Sequence, residues 1–247
     1  MPCCPTKSGA APTNRNYELQ GEMLKDIGGM QTYFTGKRSS KVVLIGFMDV
    51  FGLSKQIKEG ADQLANHELA IYLPDFLNGE TASIEMIDPK TIEQKEARSK
   101  FMEKISSPLH WPKLTKVIED IERIHGQDVK IGAYGFCWGA KVLITYPNKE
   151  RFLRIGCAHP SLLDPVDAKH VHCPVCFLCS KDEDPEEVDA WKKSFENSPY
   201  FSESYFETFG KMHHGWMAAR ANLSDPENRK YFDLGYQIFL KFFKELF

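Results

Sequence analysis

The stretch Lys130-Ile131-Gly132-Ala133-Tyr134-Gly135-Phe136-Cys137-Trp138-Gly139-Ala140-Lys141-Val142 decides how the rest of this chain is read. It passes from a short apolar strand through Gly-x-Cys-x-Gly into the opening of a helix continued by Leu143 and Ile144. On a tight strand-to-helix turn the central residue is held in strained dihedrals, and residues without a Cβ fit on either side of it. Such a turn aims the first N–H groups of the helix at an oxyanion forming beside the central side chain. Here that side chain is a thiol, whose thiolate a helix N-terminus stabilises. Cys137 is therefore a candidate nucleophile. The alternative is a Cys that only packs, since free Cys is among the most buried residue types.

Outward from this turn, 41–47 is a continuous apolar run, as expected of a central parallel strand covered on both faces. Strands are also predicted at 28–34, 69–73, 155–158, 175–179 and 205–209. Between them lie a helix carrying Ile57, Ala61, Leu64 and Ala65 inward and a charged excursion over 78–107 with one helix near 91–105. A helix opened by Pro112 runs to about 125, and another spans 185–195. A C-terminal helix over 225–247 has Tyr231, Leu234, Ile238, Phe242 and Phe243 on its apolar stripe. Strands alternating with helices imply an α/β chain of three layers, a mostly parallel sheet flanked by helices. Residues 1–18, with their Pro, Ser, Thr, Asn and Gly, read as a flexible lead-in, and 19–247 as one domain.

In such sheets chemistry gathers at the carboxyl ends of the strands, so partners for Cys137 are sought after later strands. The acidic run Lys181-Asp182-Glu183-Asp184 follows the strand at 175–179, and Met212-His213-His214-Gly215-Trp216 follows the strand at 205–209. Nucleophile, acid, histidine is the chain order of α/β-hydrolase triads. Each has a plainer reading, as a helix-opening acidic cluster and a solvated loop histidine.

Composition narrows the function classes. The 247 residues are 42% hydrophobic and 26% charged, ordinary for a globular protein. A net charge of −3 gives no electrostatic case for nucleic acid or an anionic membrane. No apolar run reaches a bilayer's span and no signal-peptide core opens the chain, so a cytoplasmic address is expected. The seven cysteines include Cys173-x-x-Cys176-x-x-Cys179, but strand alternation keeps those side chains from converging on zinc, and no metal is expected. Reduced thiols are the expectation throughout, Cys3 and Cys4 of the lead-in included.

With these residues in view, nearly the whole chain beyond the lead-in resembles the dienelactone hydrolase family, in its fungal and wider eukaryotic branch. The resemblance rests on Gly135-Phe136-Cys137-Trp138-Gly139, Asp49-Val50-Phe51-Gly52, Pro74-Asp75-Phe76-Leu77-Asn78-Gly79, Ala158-His159-Pro160-Ser161 and His214-Gly215-Trp216. It implies an α/β-hydrolase fold and hydrolysis of small ester or lactone substrates by a Cys–His–acid triad, without metal or organic cofactor. Cys137 would be the nucleophile and His214 the base, with His213 less suited because the motif begins at the His before Gly. The N–H groups of Trp138 and Val50 would form the oxyanion hole. Asp49 stands where bacterial members carry a Glu that holds the thiol proton. Arg220, and more loosely Arg98, stand for their substrate-binding arginines. Alignment from Pro174 without a gap puts Glu183 at the acid position, with Asp182 and Asp184 beside it. Two alternatives stand beside it: a non-catalytic member acting as a binding or interaction protein, and a redox-responsive protein using the seven thiols.

Overall fold

The continuous apolar runs become the middle of an eight-stranded sheet. A computed structural model of the chain describes residues 8–12, 16–65 and 68–247. Cys3 and Cys4 lie outside these residues. The strands are β1 (Glu22–Ile27), β2 (Met30–Gly36), β3 (Val42–Phe47), β4 (Ala70–Pro74), β5 (Lys130–Phe136), β6 (Ile155–Ala158), β7 (Val175–Ser180) and β8 (Tyr205–Phe209). They lie in the order β1-β2-β4-β3-β5-β6-β7-β8, parallel from β4 to β8 and antiparallel at the β1–β2–β4 edge. β3, β4 and β7 are buried at every position, because helices cover both faces of the sheet's centre.

The helices are α1 (Lys55–Ala65), α2 (Ile84–Ile87), α3 (Ile92–Lys104), α4 (Ser107–His125), α5 (Trp138–Ile144), α6 (Pro185–Phe195) and α7 (Pro226–Phe243). α1 packs on α7 so closely that a Cβ at Gly60 would fall 1.8 Å from the Tyr236 ring. After β3 the chain runs to β4 on one side and then returns to β5 on the other. The loops after β3 and β5 therefore diverge at a topological switch point, where open α/β sheets place their sites. Among the described residues no helix is long and apolar enough to cross a membrane.

Two expectations change. Pro112 does not open its helix: α4 begins at Ser107 with Pro108 in its first turn, and Pro112 lies inside. A proline removes one helical hydrogen bond there, which the packing of Leu114, Val117, Ile118 and Ile121 in the core offsets. The buried stripe of α7 is Phe232, Gly235, Tyr236, Phe239, Phe242 and Phe243, whereas Tyr231, Leu234 and Ile238 are half-buried beside it. The described parts of 1–18 are docked. Ala11 N–H donates to the Ala219 carbonyl at 2.8 Å, Arg220 Nε to the Ser8 carbonyl at 2.6 Å, and the Tyr17 hydroxyl to Asp62 at 3.2 Å.

Candidate active site

Cys137 stands between β5 and α5 with φ 54° and ψ −116°, a left-handed backbone that a non-glycine residue adopts only under strain. Its flanking glycines make the turn sterically feasible. A Cβ at Gly135 would lie 2.6 Å from the Gly139 backbone, and one at Gly139 would lie 2.6 Å from the Met48 carbonyl. The second contact also seats the start of α5 against the end of β3, bringing the loop with Asp49 and Val50 beside the elbow. Val50 is fully buried, and its carbonyl accepts from Ala82 N–H at 2.8 Å. The Trp138 indole N–H donates to the Ile105 carbonyl at 2.5 Å, tying the excursion over 78–107 to the elbow.

The acidic loop after β7 and the histidine loop after β8 are knitted together. Lys181 N–H donates to the Met212 carbonyl at 3.0 Å, and His214 N–H to Asp182 Oδ2 at 2.8 Å. Glu183 Oε1 lies 2.6 Å from His214 Nδ1, with both side chains buried. The Glu183 carboxylate is held in turn by Ser180, whose backbone N–H donates to Oε2 and whose hydroxyl donates to Oε1 at 3.1 Å. Asp184 turns outward and caps α6, accepting from Glu186 N–H at 2.9 Å. The three neighbouring acids thus do different work: backbone anchor, imidazole partner and helix cap. His213 is half-buried, with its Nδ1 3.0 Å from the His214 carbonyl.

The segment Ala158-His159-Pro160-Ser161, which begins at the last residue of β6, touches both the thiol and the imidazole. Cys137 N–H donates to the Ala158 carbonyl at 3.2 Å, and Cys137 Sγ lies 3.5 Å from Ser161 Oγ. The His159 ring meets the His214 ring at 5.0 Å between centroids and 68° between planes. Nothing in the sequence around this tetrapeptide assigns a role to either polar residue. The signal available was its position, immediately past a central strand's carboxyl end.

Asp49 accepts from Phe51 N–H at 2.9 Å and from Ala219 N–H at 3.1 Å, so its carboxylate braces two backbone segments of the site. Arg220 is buried over the Phe51 ring at 4.9 Å and also engages Ser8. Arg98 stands half-buried on α3. Cys157, Cys176 and Cys179 are buried, and burial pushes each thiol well above its ordinary range. Among the described residues no cluster of His, Cys, Asp or Glu could hold a metal.

An apolar cavity of about 370 Å³ borders the elbow, lined by Met102, Ile105, Trp111, Trp138, Thr145 and Leu162. Another, of about 430 Å³ beside Arg154, Tyr205 and Phe242, opens at the amino ends of β6 and β8, away from these groups.

The chain that carries this elbow matches the model of a known family, the dienelactone hydrolase family, across residues 30–247. The chain belongs to the dienelactone hydrolase family. An uncharacterised AIM2 family protein of Schizosaccharomyces pombe is 54% identical over 245 residues, covering 99% of this chain and 98% of that protein. Dienelactone hydrolase from Anabaena variabilis has a TM-score of 0.63 at 14% identity, over 92% of this chain and 99% of that one. The dienelactone hydrolase-like promiscuous phosphotriesterase P91, from metagenomic libraries, has a TM-score of 0.65 at 17% identity, over 92% and 98%. At these identities the structures speak for the fold. Family membership supports hydrolase activity.

Proposed function

We propose that this dienelactone hydrolase family member is a cytoplasmic carboxylic ester hydrolase acting on small esters, lactones or thioesters through Cys137, His214 and Glu183. The observation that carries the reading is the 2.6 Å contact between Glu183 and His214 Nδ1, both of them buried. A carboxylate there fixes the tautomer with Nδ1 protonated, leaving Nε2 to take the thiol proton, and it stabilises the imidazolium that results.

In the first half-reaction the Cys137 sulfur forms a bond to the acyl carbon. The N–H groups of Trp138 and Val50 receive the oxyanion, and His214 returns the proton to the leaving alkoxide as the ester C–O bond breaks. In the second, His214 draws a proton from water as the water's oxygen attacks the thioester. The proton returns to sulfur as the C–S bond breaks, releasing the acid. Sulfur is a good nucleophile with modest basicity, which suits activated esters, enol lactones and thioesters. Asp182 anchors the His214 backbone in this scheme, and Arg220 with Asp49 holds the loop after β3 in place.

The test is a hydrolysis screen over aryl esters, lactones and acyl thioesters, run on the wild type, C137A and H214A. Turnover of at least one class that both variants lose supports the reading. Turnover that survives in C137A, or none with any class, would leave the fold acting as a binding protein or by other residues.

A further inference from the structure

The chemistry above makes no use of His159, yet three features set this residue apart. Its φ is 37°, in the left-handed region that strains a non-glycine residue. Its side chain is fully buried, and neither ring nitrogen has a hydrogen-bond partner elsewhere among the described residues. Its ring lies between two others, stacked on Phe136 at 5.7 Å and 22° and crossing His214 at 5.0 Å and 68°. Buried polar atoms left unpaired are costly, and a native structure that keeps them calls for a reason. Packing does not supply one. A phenylalanine would offer a comparable flat ring to Phe136 and His214 with no orphaned nitrogen.

What the imidazole adds is a dipole in a water-poor place, beside the ring that turns positive in the proposed reaction. A dipole beside developing charge can turn its negative end toward that charge, by choice of tautomer, and a low dielectric strengthens the interaction. Burial keeps His159 neutral, far below the ordinary imidazole range, and the neighbouring His214 and Arg220 push the same way. In the proposed reaction the proton leaving Cys137 goes to His214, which has Glu183 against it, and not to His159. The geometry points to His159 as a positioning residue for His214: an imidazole that holds the base's ring and stabilises its imidazolium when the thiol ionises. The inference rests on the triad reading. In the step concerned the S–H bond breaks, sulfur keeps the electron pair and His214 Nε2 gains the proton, while His159 neither gains nor loses one.

The charged and titratable groups against the pair are His213 and Arg220 after β8, Asp182 and Glu183 after β7, which bond His214, and Cys137 after β5, whose N–H bonds the residue before His159. All stay constant in a His159 series, so a changed titration is read against His159.

The experiment measures the rate of Cys137 alkylation by iodoacetamide as a function of pH, by peptide mapping, in the wild type, H159F and H214A. H159F is expected to melt no lower than the wild type, because two orphaned nitrogens are gone. Its alkylation on the acid side of neutrality should nonetheless fall about tenfold, a shift of about one pH unit in the profile. A profile superimposed on the wild type would overturn the inference. Should H159F not fold, H159Q and H159L replace it. The inference requires the Gln profile to lie nearer the wild type than the Leu profile, and equal profiles would overturn it. H214A separates this from the triad reading. An H214A profile equal to the wild type defeats the triad itself, whereas a collapsed H214A profile beside an unchanged H159F defeats only the role of His159.

Discussion

Replacing Glu183 by glutamine probes the site's electrostatics with almost no change in shape. Both carboxylate oxygens face donors: Ser180 N–H on Oε2, and the Ser180 hydroxyl with His214 Nδ1 on Oε1. An amide has one acceptor and one NH₂, so one side must lose. If the amide oxygen keeps the Ser180 backbone N–H, the NH₂ points at His214 and selects the tautomer with the proton on Nε2, which cannot take the thiol proton. If the amide oxygen keeps His214, the NH₂ opposes the Ser180 N–H in a buried place, and the imidazolium still loses its counter-charge. A hydrogen bond to a charged group is worth about 1.5–3 kcal/mol, and general-base assistance about 10²–10⁴-fold. E183Q should therefore lose about 10²–10⁴-fold in kcat/KM, or about 2.7–5.4 kcal/mol of transition-state stabilisation. The assay is p-nitrophenyl acetate hydrolysis beside a thermal melt, which must show a folded variant. A folded E183Q within threefold of the wild type would mean that the Glu183 carboxylate gives the base no support.

Other expectations follow from the same contacts. H214A should abolish turnover, whereas H213A, which loses only a bond to the His214 carbonyl, should keep most of it, as steady-state rates will show. D184A should lower stability by about 1 kcal/mol through loss of the α6 cap and leave kcat/KM near the wild type, checked by denaturant titration and kinetics. D182N weakens the acceptor of the His214 N–H, so it should lower kcat/KM by about tenfold, less than E183Q; an unchanged rate would remove it from the site. Limited alkylation followed by peptide mapping should mark Cys137 before Cys157, Cys176 or Cys179, whose burial holds them as thiols.

Much of this was legible in the chain. Unbroken apolar runs such as Val42–Phe47 announce central strands without tertiary information, and Gly135, Cys137 and Gly139 spell out an elbow by steric need alone. What escaped depends on neighbours. β1, with the sequence Glu-Met-Leu-Lys-Asp-Ile, is an exposed edge strand whose pairing with β2 defines it better than its own pattern does. The α7 stripe misled because Tyr231, Leu234 and Ile238 are as apolar as the aromatic face that Phe232, Tyr236 and Phe239 bury. Pro112 looked like a helix start because local preference cannot see the core that carries α4 through it. Among Asp182, Glu183 and Asp184 the sequence supplies a favourite by alignment, but only loop geometry aims one carboxylate at His214, one at a backbone N–H and one at a helix end. His159 has no periodicity to betray it, and its distinction lies in what its ring fails to bond.

The central claim is that Cys137 carries the acyl group. Rapid mixing of the protein with p-nitrophenyl acetate, acid quench and mass spectrometry of the digested chain tests it directly. A single acetyl adduct is expected on the peptide bearing Cys137, removable by neutral hydroxylamine as a thioester is, and absent in C137A. No adduct, or an adduct on Ser161 that persists in C137A, would contradict it.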